Sequence, residues 1–346
     1  MLVHERYMQR AIELAQQGLG HTRANPVVGC VIVHNNKIIG EGFHFKYGGD
    51  HAEIVAIKEV KNTRLLAQST MYVTLEPCSH YGKTPPCSQR IIDEKIPHVV
   101  VASKDPNPLV SGNGIKMLQQ AGIIVQTGIL ENEYRFVNRR FFTFHEKKRP
   151  YIILKWAQSS DGYLSPQKNY NDSRTYWISN QISKMLVHKW RSEEMAILVG
   201  ANTVINDNPQ LTVRLWKGEN PLRIVIQNKD FINLSSNVFN FPPQTIRFTT
   251  NSSLSSISNV ETFVLEKNNF LEQMLNILYN KNIVSLIVEG GAYTLNQFLL
   301  NNLWDEARII TGKIRFNKGL QAPTIFKQNK IDYKIGNDVL TIIYNT

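Results

Sequence analysis

Cysteine is scarce: the chain has three in 346 residues, too few for a disulfide framework and in keeping with a reducing cytoplasm. Long hydrophobic runs are missing as well. The opening Met1-Leu2-Val3-His4-Glu5-Arg6 has no basic segment followed by an apolar stretch, so neither a secretory signal nor a membrane-spanning helix is expected. No Gly-x-Gly-x-x-Gly follows the first strand of the second half, which leaves a standard Rossmann dinucleotide site unsupported. There is no internal repeat or low-complexity segment. What remains, 42% apolar and 19% charged residues, is the composition of a soluble globular protein long enough for two domains.

The formal charge is +11, which by its size could suggest nucleic acid, but its distribution matters more. Residues 1 to 146 carry 16 basic and 13 acidic side chains, whereas residues 147 to 346 carry 23 and 15. The excess therefore lies in the second half. That split favours small anionic ligands over nucleic acid for the first half.

The first half is organised around His51-Ala52-Glu53, answered by Pro77-Cys78 and Pro86-Cys87. One imidazole and two thiols make a three-ligand zinc set, His51, Cys78 and Cys87, that leaves a fourth tetrahedral position open to water. Zinc lowers the pKa of such a water to roughly 7. Glu53 is left as a carboxylate free to move protons, the part a deaminase requires. Eight residues, Ser79 to Pro86, separate the two cysteines, where nucleobase deaminases have two; this insert reads as a polar loop over the metal. Two competing readings are a structural zinc site closed by His80 and a pair of buried cysteines. Cys30, within the apolar run Val27 to Val33, reads as core.

Apolar periodicity predicts a helix over Val3 to Gln17, a hairpin from Val27 to His44 turning at Asn35-Asn36, and a helix over Ala52 to Val60. Strand Met71 to Leu75, helix Ser88 to Lys95, strand His98 to Ala102, helix Gly114 to Ala121 and strand Ile123 to Gln126 follow. Together they form an α/β/α sandwich. The charged run His145 to Arg149 before Pro150 places a boundary, giving domains 1–146 and 147–346. Strands are expected near Tyr151 to Trp156, Met195 to Val199, Arg223 to Ile226, Thr245 to Thr249, Glu261 to Leu265, Val284 to Val288, Ala307 to Thr311 and Val339 to Tyr344. Helices are expected over Ile182 to Arg191, Phe270 to Tyr279 and Leu295 to Leu299. The alternation predicts a mainly parallel sheet. Strand Ser285 to Val288 runs into Glu289-Gly290-Gly291 and then a helix, a cradle of backbone amides suited to a pyrophosphate.

Glu76-Pro77-Cys78-Ser79-His80 through Thr84-Pro85-Pro86-Cys87, with Lys155 to Gly162, Gly200 to Arg214 and Glu289 to Thr294, closely resembles the bifunctional riboflavin-biosynthesis deaminase/reductases over nearly the whole chain. The resemblance implies a cytidine-deaminase-like first domain and a dihydrofolate-reductase-like second domain using NADPH. It implies hydrolytic deamination of a diaminopyrimidinone ribosylamino 5′-phosphate, then reduction of the ribosyl group to ribityl. Deaminase substrate contacts carried over are Asn25, His44, His80, Lys83 and Asn107. Cofactor contacts are Ala157, Trp177, Thr203, Asp207, Asn228 and the backbone of Gly291, Ala292, Tyr293, Thr294, Leu295, Asn296 and Gln297. Reductase substrate contacts are Thr175, Arg191, Leu211, Arg214 and Glu289; the two guanidinium forks suit a substrate phosphate. The resemblance also implies a homo-oligomer, while cysteine usage, the missing apolar runs and the charge split lead us to expect a cytoplasmic enzyme with no membrane or nucleic-acid partner. The rival is a tRNA-editing deaminase with a basic C-terminal module, disfavoured by the long loop between the cysteines and by the charge split.

Overall fold

The computed structural model describes all residues except 1–2, 81–84, 108–109, 168–175, 229–231, 241, 328–329 and 346. The expected substrate contacts Lys83 and Thr175 lie outside the described residues, as does the centre of the loop between the cysteines. Two compact units part between Lys148 and Arg149.

The first unit runs α1 (Val3–Gln16), β1 (Gly29–His34), β2 (Lys37–Phe43), α2 (Ala52–Glu59), β3 (Thr70–Leu75), α3 (Cys87–Asp93), β4 (His98–Ser103), α4 (Asn113–Gln120), β5 (Ile124–Thr127), α5 (Glu131–Val137) and α6 (Arg139–Lys147). Its sheet has the order β2-β1-β3-β4-β5. The β1–β2 and β1–β3 pairs are antiparallel, while β3–β4 and β4–β5 are parallel. One face buries Ala56, Ile57, Ile91 and Leu118 of α2, α3 and α4; the other buries Met8, Ile12, Tyr134 and Phe142 of α1, α5 and α6. This is the expected sandwich. Residues 131 to 147 form two helices that the sequence reading left out. Tyr134, Phe141, Phe142 and Phe144 are all buried, each worth roughly 1.5–3 kcal/mol by transfer. The charged run expected at the boundary is thus the end of α6, whose C-cap is Lys148.

One close approach fixes the site. A Cβ on Gly42 of β2 would lie 2.5 Å from both the Ala52 carbonyl oxygen and the Ala56 nitrogen. Only glycine lets α2 settle so closely on β2, and α2 carries Glu53 directly behind His51.

The second unit runs β6 (Tyr151–Gln158), β7 (Tyr163–Pro166), α7 (Gln181–Glu193), β8 (Ala196–Gly200), α8 (Ala201–Asp207), β9 (Leu222–Ile226), α9 (Asn237–Asn240), β10 (Thr245–Thr249), β11 (Val260–Val264), α10 (Phe270–Asn280), β12 (Ser285–Val288), α11 (Ala292–Leu300), β13 (Glu306–Thr311), β14 (Gly319–Gln321), β15 (Lys330–Ile335) and β16 (Asp338–Tyr344). Its sheet order is β11-β10-β9-β8-β12-β6-β13-β16-β15. From β11 to β13 every pairing is parallel. The edge hairpin β15–β16 joins β13 antiparallel. Residues of α10 and α11 cover one face and those of α7, α8 and α9 the other. Strands β7, β14 and β15 and helices α8 and α9 were not anticipated; all are short or, for β15, mostly exposed, so burial leaves little periodic signal in them.

Candidate functional site

In the first unit His51 is the N-cap of α2 in extended backbone, Cys78 follows β3, and Cys87 is the first residue of α3. The helix starts at Cys87 itself, one residue before the expected Ser88. The Nδ1 of His51 lies 3.6 Å from Cys78 Sγ and 3.3 Å from Cys87 Sγ. All three donor atoms fall within 4.8 Å of one another. A further bond aims the set, from the Cys87 N–H to Cys78 Sγ at 3.3 Å. The Ser88 N–H and hydroxyl both donate to the Cys78 carbonyl, at 3.1 and 2.8 Å, fixing that turn from behind.

The electrostatics suit a cation. Hydrogen bonds from the Cys87 thiol and the His51 ring pull the Cys78 thiol down to about 4, against the cost of burial. The partnership with Cys78 pushes His51 up to about 9, while the same thiol and burial push Cys87 up. These groups compete for protons that a divalent metal displaces. An imidazole with two sulfurs is a borderline-soft set that fits zinc. His80 is exposed and is not part of the cluster; no fourth ligand joins it among the described residues, which disfavours a closed structural site. Glu53, 3% exposed, has its carboxyl pushed up by burial, as a group that both takes and gives a proton requires.

Two expected neighbours are tied to the metal histidine. The Nδ1 of His44 is 3.0 Å from the Asp50 carbonyl, which can only accept, so Nδ1 donates and Nε2 accepts from Asn25 Nδ2 at 3.2 Å. The His44 and His51 ring centroids are 5.6 Å apart. Asn107 lies in the loop before α4, its backbone N–H donating to Asp105 Oδ1 at 2.8 Å. Burial pushes the Asp105 carboxyl up to about 6.

In the second unit the glycine pair lies where β12 gives way to α11. The Gly291 N–H donates to Thr203 Oγ1 of α8 at 3.0 Å. A Cβ on Gly200 would stand 2.6 Å from Thr294 Oγ1, and one on Gly290 would stand 3.0 Å from the Gly200 nitrogen. The starts of α8 and α11 are thereby side by side, with first-turn amides and side-chain-free backbone at two strand ends. That cradle fits a dinucleotide pyrophosphate. The side chain of Leu295 is packed in the core, so any contact from it is through backbone. Asp207 ends α8, Ala157 lies near the end of β6, and Asn228 accepts the Thr250 N–H at 2.9 Å. Trp177 is 67% exposed, with Lys184 Nζ 3.6 Å from its ring centroid.

Arg191 is placed otherwise than a free phosphate fork. Its Nε and Nη2 hold Glu289 at 3.0 and 2.8 Å, and Nη1 reaches the Thr212 carbonyl at 3.3 Å. Arg214 is the more open guanidinium, its Nη1 on Gln210 and Thr212 side chains at 3.0 and 2.8 Å. Its backbone N–H donates to His188 Nδ1 at 3.1 Å. Leu211, in the same loop, is buried with φ +56. Sequence reasoning missed Lys155, whose Nζ is 3.5 Å from Glu289 and whose pKa is lowered by burial. The available signal was a lysine inside an otherwise apolar strand.

Residues 150–335 match the family described as RibD C-terminal domain, and residues 1–103 match the cytidine and deoxycytidylate deaminase zinc-binding region. Over 324 residues the chain is 40% identical to the riboflavin biosynthesis protein RibD of Aquifex aeolicus (strain VF5), covering 92% of this chain and 89% of that one. The crystal structure of a diaminohydroxyphosphoribosylaminopyrimidine deaminase/5-amino-6-(5-phosphoribosylamino)uracil reductase from Thermotoga maritima superposes with a TM-score of 0.87 at 37% identity, covering 99% of this chain and 98% of that one. Acinetobacter baumannii RibD, form 1, gives 0.88 at 30% identity over 99% of each chain. With a three-donor zinc set beside a buried glutamate in one unit and a glycine-lined cofactor cradle in the other, the chain belongs to the RibD family of bifunctional riboflavin-pathway enzymes, a zinc-dependent deaminase and an NADPH-dependent reductase in one polypeptide.

Proposed function

We propose that residues 1–146 deaminate 2,5-diamino-6-ribosylamino-4(3H)-pyrimidinone 5′-phosphate, and that residues 147–346 reduce the product's ribosyl group to ribityl. The observation that carries the first half is the approach of His51, Cys78 and Cys87 donor atoms beside buried Glu53. Zinc held by these three residues supplies an activated water at neutral pH. Glu53 takes a proton at its carboxylate and delivers it to the ring nitrogen and then to the departing amine; its burial keeps those protons from bulk water. His44 and Asn25, already bonded to each other, face the substrate from the side of His51, and Asn107 approaches from the loop before α4. His80 and Lys83 belong to the same substrate group through the resemblance.

In the reductase, NADPH supplies the hydride to C1′ of the ribose. Thr203, Asp207 and the backbone of Gly291 to Gln297 hold the cofactor's phosphates and ribose, with Ala157, Trp177 and Asn228 completing the site. Arg214, with Leu211 and Thr175, receives the phosphorylated substrate. Arg191 acts by fixing Glu289, which orients the sugar together with Lys155, whose ammonium, its pKa lowered by burial, passes a proton to the ring oxygen as the ring opens. Ammonia release and NADPH oxidation measured separately in Glu53→Gln test the division of labour. Deamination should fall by about 10²–10⁴-fold, with zinc content and reduction of pre-deaminated substrate intact. Parallel loss of both activities would contradict it.

A further inference from the structure

The carboxylate one residue before Pro77-Cys78 has no role in the reading above, yet it is among the most heavily bonded acids in the first unit. Glu76 is 4% exposed and its carboxylate oxygens accept from four backbone amides. Oε1 accepts the N–H groups of Gly114 and Ile115 at 3.0 and 3.2 Å. Oε2 accepts those of Gly112 and Asp105 at 2.9 and 3.3 Å. The first pair belongs to the opening turn of α4, whose own N-cap is Gly112 at φ +80 with no side-chain cap. Glu76 thus does from β3 what a local Asp or Ser would do at a helix start.

The second pair closes the loop that presents Asn107. Asp105 and Gly112 bracket that residue, so one buried carboxyl group holds the backbone on both sides of it against the strand that delivers Cys78. The packing is tight on the same side: a Cβ on Gly114 would be 1.9 Å from the Pro77 carbonyl oxygen. The Ser88 hydroxyl bridges the Cys78 carbonyl, at 2.8 Å, and Met117 Sδ of α4, at 3.2 Å. The ligand turn and the start of α4 therefore form one clamped body, with Asp105 and Gly112 bonded to it on either side of Asn107. A free loop containing two prolines and a glycine would have to order itself on each binding event; a pre-bonded one does not.

We propose that Glu76 is a positioning residue of the deaminase, holding Asp105 and Gly112, and through them Asn107, in the geometry that meets the substrate beside Cys78. The proposal rests on the reading of Asn107 as a substrate contact. Glutamine at 76 keeps one acceptor oxygen, enough for one amide pair, and turns an N–H₂ toward the other. The helix-start pair retains the oxygen, and the loop pair loses it.

The test is a double-mutant cycle on the zinc-loaded full chain, following ammonia release from the diaminopyrimidinone ribosylamino phosphate. Asn107→Ala alone should raise KM roughly tenfold, the loss of one good hydrogen bond. Glu76→Gln should raise KM by a similar factor, with kcat within about threefold and zinc content unchanged. Adding Asn107→Ala to Glu76→Gln should then change KM by less than about twofold. Amide exchange at Asp105 and Gly112 should accelerate in Glu76→Gln while Gly114 and Ile115 stay protected. Multiplication of the two KM effects, a fall in kcat at constant KM, or unaltered exchange at Gly112 overturns the proposal alone. An Asn107→Ala enzyme with wild-type KM overturns the reading of Asn107 and the proposal with it. Should Glu76→Gln fail to fold, Gly112→Ala, which strains the loop from its other end and leaves the carboxylate in place, takes its position in the cycle with the same expectation.

Discussion

The proposed deaminase centre rests on three side chains whose donor atoms fall within 4.8 Å of one another, brought from two helix starts and a strand end. Such an arrangement has no use for a near-substitute. Serine at 78 keeps the size and loses the soft, readily ionised donor, so Cys78→Ser should bind much less than one zinc per chain; unchanged metal content on elemental analysis would remove Cys78 from the ligand set. At this scale the sequence was most informative where chemistry dictates residue type. His51, Cys78 and Cys87 could be picked out as a metal-binding set because a zinc site admits few alternatives. Glu76 and Lys155 could not, because their meaning comes from partners 29 to 39 and 134 positions away. Nor could it be read that Arg191 would spend its fork on Glu289 rather than remain open to a phosphate.

Among the elements, β6, α7 and the end of β12 meet in the Lys155, Arg191 and Glu289 triad. Burial alone would raise the Glu289 carboxyl, but the Arg191 and Lys155 charges outweigh it and hold it down at about 2 from 4.5. A carboxylate with a depressed folded pKa stabilises the fold above its unfolded value, and loses that contribution as pH falls toward the folded one. The window is therefore about pH 4.5 down to 2, and its depth is roughly 3 kcal/mol. Glu289→Gln should lower the stability of the second unit at pH 7 and flatten its dependence on pH across that window, as followed by thermal melting. An unchanged slope would mean the triad does not couple to folding. Arg191→Ala should cost about 3–5 kcal/mol by leaving Glu289 buried without its main partner; a loss under 1 kcal/mol would contradict the pairing. The elements themselves were legible in proportion to their burial. The parallel strands from β10 to β13, mostly buried, were anticipated, and so was half-buried β11 at the sheet edge, whereas exposed β15 was not. Helices α5 and α6 were obscured by the charged run at 145–149, although Tyr134, Phe141 and Phe142 were present to mark a buried face.

For the whole molecule, two units with separate cores carry two different chemistries, and no described helix is long and apolar enough to cross a membrane. Each site is built to hold a different group: a metal centre in one unit, a dinucleotide cradle in the other. Neither site needs the other's cofactor. The most direct test puts the purified, zinc-loaded chain with the diaminopyrimidinone ribosylamino phosphate and follows ammonia release with and without NADPH, reading NADPH absorbance in the same sample. The expected result is ammonia release at the same rate without NADPH, and NADPH loss that begins only as deaminated product accumulates. NADPH oxidation without prior ammonia release, or no ammonia from a chain with one zinc bound, would contradict the account.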